Sequence, residues 1–240
     1  MKESRDELRA LLSRATLEDL ERIVTALDRW PRPTGLAVSM MIAREHPDSR
    51  KEVEEAIVME LERAASSPLE RGARRLFRRS TRDEMHEAIT ETARRLDVRV
   101  RVPVGGTLSA RLQSLTAAVV DRTVASLPPE DQRRLLGDAL DRSDPKTSLP
   151  DVARAAAIPA LGTPIMEAVV VHAAAAFLGR EVARGMLRAV LARAPFLPAM
   201  LGPIAWTSGG ALLAWELSKP AYRKLVPALL FVGILTWRKP

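Results

Sequence analysis

The chain has 240 residues, 47% of them hydrophobic, no cysteine and a formal net charge of +7. Such a length and apolar content exclude a disordered chain and provide a core for one large or two small domains. The missing cysteine excludes disulfides, thiolate metal sites and a cysteine nucleophile.

Abundant Ala, Leu, Val and Arg, with only four Trp, four Phe and one Tyr, favour helix over strand. Thr16 precedes LEDLERIVTAL, where Leu17, Leu20, Ile23, Val24 and Leu27 make one apolar face and WPRP ends the helix. A short apolar segment, GLAVSMMIA, follows, and HPDS (His46–Ser49) opens KEVEEAIVMELERAA. Pro68 starts LERGARRLFRR, and Thr81 caps RDEMHEAITETARRL with Glu84 at the capping-box position. Val98, Val100, Val102 and Val104 then alternate with Arg99, Arg101 and Pro103. No second alternating run exists to pair with them, so the segment reads as a connector or lone edge strand. Thr107 caps LSARLQSLTAAVVDRTVASL, Pro128-Pro129 opens another helix, and SDPKTSLP (Ser143–Pro150) is a linker. Beyond it the chain is apolar and cut repeatedly by Gly and Pro. The expectation is an all-α multi-helix bundle with a charged helical region at 1–104, connecting helices at 105–150 and an apolar, basic helical bundle at 151–240.

Charge follows the same division. Residues 1–154 hold 28 Lys+Arg against 27 Asp+Glu, while residues 155–240 hold nine against three. Positive excess thus coincides with the longest apolar runs, which suits an anionic lipid surface better than a nucleic-acid groove. Ala194–Trp215 is uncharged for 22 residues, but Pro195, Pro198 and Gly202-Pro203 interrupt it. A continuous helix from Pro203 to Leu217 is about 22 Å long, short of the roughly 30 Å of a bilayer core. Leu225–Trp237 adds 13 residues and contains Pro227. The two runs form a hairpin whose turn, ELSKPAYRK (Glu216–Lys224), holds one acid and three bases. Carrying those charges across a bilayer costs several kcal/mol each. Either the hairpin is ordinary core, or it is stored in the fold and inserts shallowly. In the second case Trp206, Trp215, Tyr222, Arg223, Trp237 and Arg238 would lie at headgroup level.

The ending GPIAW…LLAWELSKPAYRKLVPAL (Gly202–Leu229) resembles the C-terminal signature of the YaaW family of bacterial proteins, with Gly202, Pro203 and Pro220 as its fixed points. FLGREVARG (Phe177–Gly185), LPPEDQRRLL (Leu127–Leu136) and RRLFRR…ARRLDVRV are similar to other elements of that family, in the same order. The resemblance implies a helical bacterial protein whose middle region is distantly similar to chaperones of ubiquinol–cytochrome c assembly.

No phosphate-binding glycine loop, HExxH or GxSxG stands in the chain. His46 precedes Pro47 at a helix start, His86 lies among Asp83, Glu84 and Glu87 without a second histidine one turn away, and His172 sits in an apolar run. None of the three makes a catalytic or metal site, and neither an enzyme nor a cofactor is expected. The most directional polar feature is the stripe Arg71, Arg74, Arg75, Arg78, Arg79 and Arg82, which shares one helix face. Guanidinium binds phosphate and carboxylate in a forked fashion, so the stripe is a lipid- or anion-binding candidate unless Glu60, Glu62, Glu70, Glu84, Glu87 and Glu91 answer it internally.

The expected function is a non-enzymatic, conditionally membrane-active protein, membrane-perturbing or pore-forming, that oligomerises on insertion. The alternative is a soluble protein-interaction or assembly factor. The expected partner is an anionic membrane surface or an acidic protein, not nucleic acid. The expected place is the cytoplasm, peripheral to or inserting into the inner membrane.

Overall fold

The computed structural model describes residues 3–28, 35–65, 81–100, 106–125, 132, 163–178 and 220–237. Among them every regular element is helical: α1 (Glu3–Leu12), α2 (Leu17–Leu27), α3 (Leu36–Glu45), a 3-10 turn (Pro47–Ser49), α4 (Arg50–Ala65), α5 (Thr81–Arg95), α6 (Leu108–Ala125), α7 (Thr163–Leu178) and α8 (Pro220–Leu235). The chain forms two compact units, one of 1–115 with 217–240 and one of 116–216.

In the first unit, α8 packs chiefly on α2, then on α4, with smaller contacts to α1 and α5. Residues 225–235 are all buried. A helix that is apolar on every side is stable only where neighbours enclose it. Leu20, Ile23, Val24 and Leu27 of α2 and Val53, Ile57, Val58 and Leu61 of α4 are buried with it. Compositional change along the chain placed 220–235 with its apolar sequence neighbours. The structure groups it instead with the amphipathic helices of the first 115 residues, whose apolar faces it completes.

Local chemistry sets the ends of these helices. Thr16 Oγ1 accepts from the Asp19 amide at 3.2 Å while Asp19 Oδ2 accepts from the Thr16 amide at 2.7 Å, a reciprocal capping box. Thr107 Oγ1 accepts from the Ala110 amide at 3.1 Å, and Glu7 of α1 accepts from the Ser109 amide at 3.0 Å, so two side chains cap α6. Arg50 opens α4 and reaches back to the carbonyls of Ser13 (3.1 Å) and Ala15 (2.7 Å) beyond α1. Helix α5 ends in a Schellman turn. The Val98 amide donates to Ala93 O at 2.9 Å and the Asp97 amide to Arg94 O at 3.1 Å, with Asp97 at φ 50°.

Several expectations shift in detail. Leu17 is 40% exposed, so the inward face of α2 begins at Leu20. Thr81 already lies within α5. Residues 98–100 continue from α5 without strand pairing, and 101–104 lie outside the described residues. Pro220–Lys224, expected in the hairpin turn, form the first turn and a half of α8, and the helix runs on through Pro227. Proline suits a first helical position, since its missing N–H is not needed there. The other half of the expected hairpin, the linker at 143–150 and, apart from Gln132, the helix from Pro128 lie outside the described residues.

In the second unit, Met166–Val171 and Ala174 of α7 are buried, Glu167 among them at 4% exposure. Gln132 Nε2 donates to the Ala125 carbonyl at the end of α6 at 3.4 Å.

Leu229 is fully buried and Met41 is 64% exposed. Leu229→Ala is expected to lower unfolding free energy by about 2–5 kcal/mol through the cavity it leaves. Met41→Ala is expected to change it by less than about 0.5 kcal/mol. Urea denaturation of the two variants measures both.

Candidate functional site

Helix α3 has apolar residues on both sides. Leu36, Met40 and Ala43 face inward at 4% exposure or less, against α2 and α4. Val38 (61% exposed), Met41 (64%) and Ile42 (46%) point the other way. At about 100° per residue, Val38, Met41, Ile42 and Glu45 fall on one arc opposite the buried residues. Three large apolar side chains therefore stand in water on ten residues of helix, which solvation alone disfavours.

That face is held in a fixed frame. Gly35 takes the left-handed conformation (φ 78°) that enters α3, a region an L side chain would occupy only with strain. Asp28, the C-cap of α2, accepts from the Ala37 amide at 2.9 Å and so caps the neighbouring helix. At the far end Arg44 bonds Glu21 of α2. Leu17, one turn before Glu21 on α2, is exposed as well.

A second cluster joins α1 to α4. Glu55 accepts from Arg5 Nη2 at 2.6 Å and, in forked fashion, from Arg9 Nε at 2.8 Å and Arg9 Nη2 at 2.9 Å. These bonds hold the Glu55 carboxyl below the usual carboxylate range, Arg9 foremost. Glu62, two turns further along α4, is pushed upward by burial, with Glu55 and Glu84 adding to the rise and Arg5 opposing it. The cluster ties two helices together, with Arg5 Nε buried 3.9 Å from Glu62 Oε1 and making no hydrogen bond.

A third cluster joins α5 to α8. Arg95 lies over the Tyr222 ring at 4.1 Å from its centroid, a cation–π contact. Glu91 accepts from Arg94 Nε and Nη2 and from Arg95 Nε, each at 2.7 Å, which lowers its pKa to about 2. Lys224, 8% exposed, is pushed down by burial, while Glu60 and Asp28 pull it up and Arg63 opposes them.

Of the residues singled out in the sequence, Tyr222 thus meets Arg95 inside the first unit, and Trp237 follows α8 half-buried. Pro220 opens α8. Arg82 and Arg223 lie on α5 and α8, their side chains outside the described set. Arg71, Arg74, Arg75, Arg78, Arg79, Gly202, Pro203, Trp206, Trp215 and Arg238 lie outside the described residues altogether. Glu91, named as a counter-charge for the Arg stripe, is bonded to Arg94 and Arg95. His46 is exposed after α3, and His86 is half-buried on α5. Among the described residues no group of three or more His, Cys, Asp or Glu could hold a metal ion, and no helix is long and apolar enough to cross a membrane. The chain was compared with family models, curated proteins and solved structures, and none matches.

Sequence reasoning passed over the α3 face. The signal was the run LAVSMMIA itself, whose apolar residues occupy both sides of a helix rather than one stripe.

Glu91 is expected to leave a step in the acid stability profile. A folded-state pKa near 2, against an ordinary 4.5, contributes stability that is present above about 4.5 and lost as pH falls toward 2. Glu91→Gln is expected to remove that step, read as urea midpoints between pH 6 and pH 2.

Proposed function

We propose that this chain is a helical protein-interaction or assembly factor that docks through the outward face of α3. The observation that carries the reading is the contrast between two apolar surfaces. Residues 225–235 of α8 are enclosed, whereas Val38, Met41 and Ile42 are 46–64% exposed on a helix held at both ends. Methionine and branched aliphatic side chains on a rigid helix suit a protein partner, because the thioether adapts to its contacts. The similarity of the YaaW middle region to assembly chaperones agrees in kind with this reading.

The membrane-active reading asks α8 to leave the core. Exposing Leu225, Val226, Leu229, Leu230, Phe231, Val232, Ile234 and Leu235 would cost roughly 12–24 kcal/mol at about 1.5–3 kcal/mol per large side chain. That equals or exceeds the whole stability of a typical domain, about 5–15 kcal/mol. Release of α8 is then global unfolding of the first unit, and a lipid bilayer would have to repay it. Protein docking on α3 asks for no such rearrangement. In this reading the stripe Arg71, Arg74, Arg75, Arg78, Arg79 and Arg82 faces an acidic protein surface rather than lipid headgroups.

Affinity capture with the tagged chain and flotation on anionic liposomes separate the two. The expected result is a bound protein that is lost when Val38, Met41 and Ile42 are all changed to Asp, with the melting temperature unchanged. Charge reversal of Arg74, Arg75, Arg78 and Arg79 is expected to weaken the same capture. Capture unaffected by the α3 changes, or flotation with α8 accessible to protease, overturns the proposal.

A further inference from the structure

Helices α1 and α4 run antiparallel, with Arg50 at the carbonyls of Ser13 and Ala15, Arg9 at Glu55 and Arg5 beside Glu62. Glu55 and Glu62 are two helical turns apart, about 10 Å along α4, and Arg5 reaches toward both. Its Nη2 donates to Glu55 at 2.6 Å, while its Nε lies 3.9 Å from Glu62 Oε1. That is about 1 Å beyond an ordinary N–H···O separation. The Nε is buried and donates to nothing, which costs free energy in a charged donor. Glu55, meanwhile, does not depend on Arg5. Arg9 already holds it with a fork of 2.8 and 2.9 Å.

We infer that Arg5 is a two-position guanidinium: it rests on Glu55 while the Glu62 carboxyl carries a proton and turns onto Glu62 when that carboxyl ionises, so the seat of α1 on α4 responds to pH.

The charges around Glu62 explain why the pair stands open. Its side chain is only 21% exposed. Glu55 on its own helix and Glu84 on α5 face it with like charge, and Arg5 and Arg9 of α1 face it with opposite charge. Arg9 is divided between Glu55 and Asp6. Lys224 of α8 is directed to Glu60 and Asp28. Among the described groups, then, Glu55, Glu62, Glu84 and Asp6 meet two guanidiniums. Burial foremost, with Glu55 and Glu84, pushes the Glu62 carboxyl up against the pull of Arg5 and Arg9.

The exchange is close to balanced. Arg5 gives up one charge-assisted bond at Glu55, which Arg9 retains, and gains one at Glu62 through the idle Nε. The proton on Glu62 is left to decide between the two positions. The direction of the stability change follows from the raised carboxyl. Its contribution is fully present below the ordinary value of 4.5 and is lost as pH rises through the folded-state value. Helix α1 is therefore seated more firmly while Glu62 is protonated.

NMR of the full chain, following Glu62 Cδ and the Arg5 Nε–H between about pH 4 and pH 8, tests this. Glu62 is expected to titrate above 4.5. Over the same interval the Arg5 Nε proton is expected to shift downfield and exchange more slowly with water, as it gains an acceptor. Glu62→Gln is nearly isosteric and neutral at every pH. It is expected to abolish the Nε–H response, and to remove the fall in urea midpoint that the wild-type chain shows over that interval. A Glu62 carboxyl titrating at or below 4.5, or an Arg5 Nε–H indifferent to its titration, overturns the inference. So does a Glu62→Gln midpoint that falls as steeply with pH as the wild-type one. The two NMR observations need no variant, so they decide the matter even where Glu62→Gln folds poorly.

Discussion

Leu, Val, Ile and Phe on every side of α8 leave that helix one stable environment, the space enclosed by other helices. The rest of the first unit is arranged to provide it. Helices α2 and α4 turn their apolar stripes toward α8, α3 backs α2 and α4 from outside, and α1 closes over α4 and α5. The caps and ion pairs at the margins are individually worth about a kilocalorie or less. Their collective effect is orientation: Arg50 on the carbonyls after α1, Glu7 on the start of α6 and Asp28 on the start of α3 each fix one helix end against another.

Much of this was legible in the sequence because amphipathic helices announce both their faces and their ends. Thr16 ahead of the spacing Leu20, Ile23, Val24, Leu27 marked α2 correctly, save for Leu17. What failed to show was the destination of an element without a polar face. Periodicity tells which side of a helix is inward only when one side is polar. The all-apolar run at 225–235 was grouped with its apolar sequence neighbours, although its complement lay some 200 residues earlier. The same loss of contrast concealed α3, where the outward residues look as core-like as the inward ones. Pro220 and the bases around it read as a turn, yet a proline at a helix start and a buried Lys224 are compatible with the first turns of a helix.

Charge tells a related story. The near-neutral balance of residues 1–154 is visible as local pairs: Arg5 and Arg9 with Glu55, Arg22 with Glu18, Arg50 with Glu54, and Arg94 and Arg95 with Glu91. The positive excess beyond residue 154 was attributed to a lipid surface. At one residue its use is different. Lys224 brings its charge into the field of Asp28 and Glu60, two acids from the other end of the chain. Burial opposes that charge and the two carboxylates support it, so part of the C-terminal excess compensates acids of the N-terminal helices. Asp28 accordingly serves two helices at once, capping α3 through its oxygen and attracting α8 through its charge.

The first unit is discontinuous in sequence, with 116–216 intervening between the helices that supply the pocket and the helix that fills it. Closing a loop of that length costs only logarithmically more than closing a short one, so the insertion is a small thermodynamic burden. Its kinetic consequence is larger, because pairing distant segments slows folding. Before α8 docks, the inward faces of α2 and α4 are open, and Leu20, Ile23, Ile57 and Leu61 are available to any apolar surface nearby. Once it docks, the large apolar surface is internal and the face of α3 remains outside. The order of events therefore separates two kinds of association. Contacts through α2 and α4 would belong to an incomplete fold, and the proposed contacts through Val38, Met41 and Ile42 to the finished one.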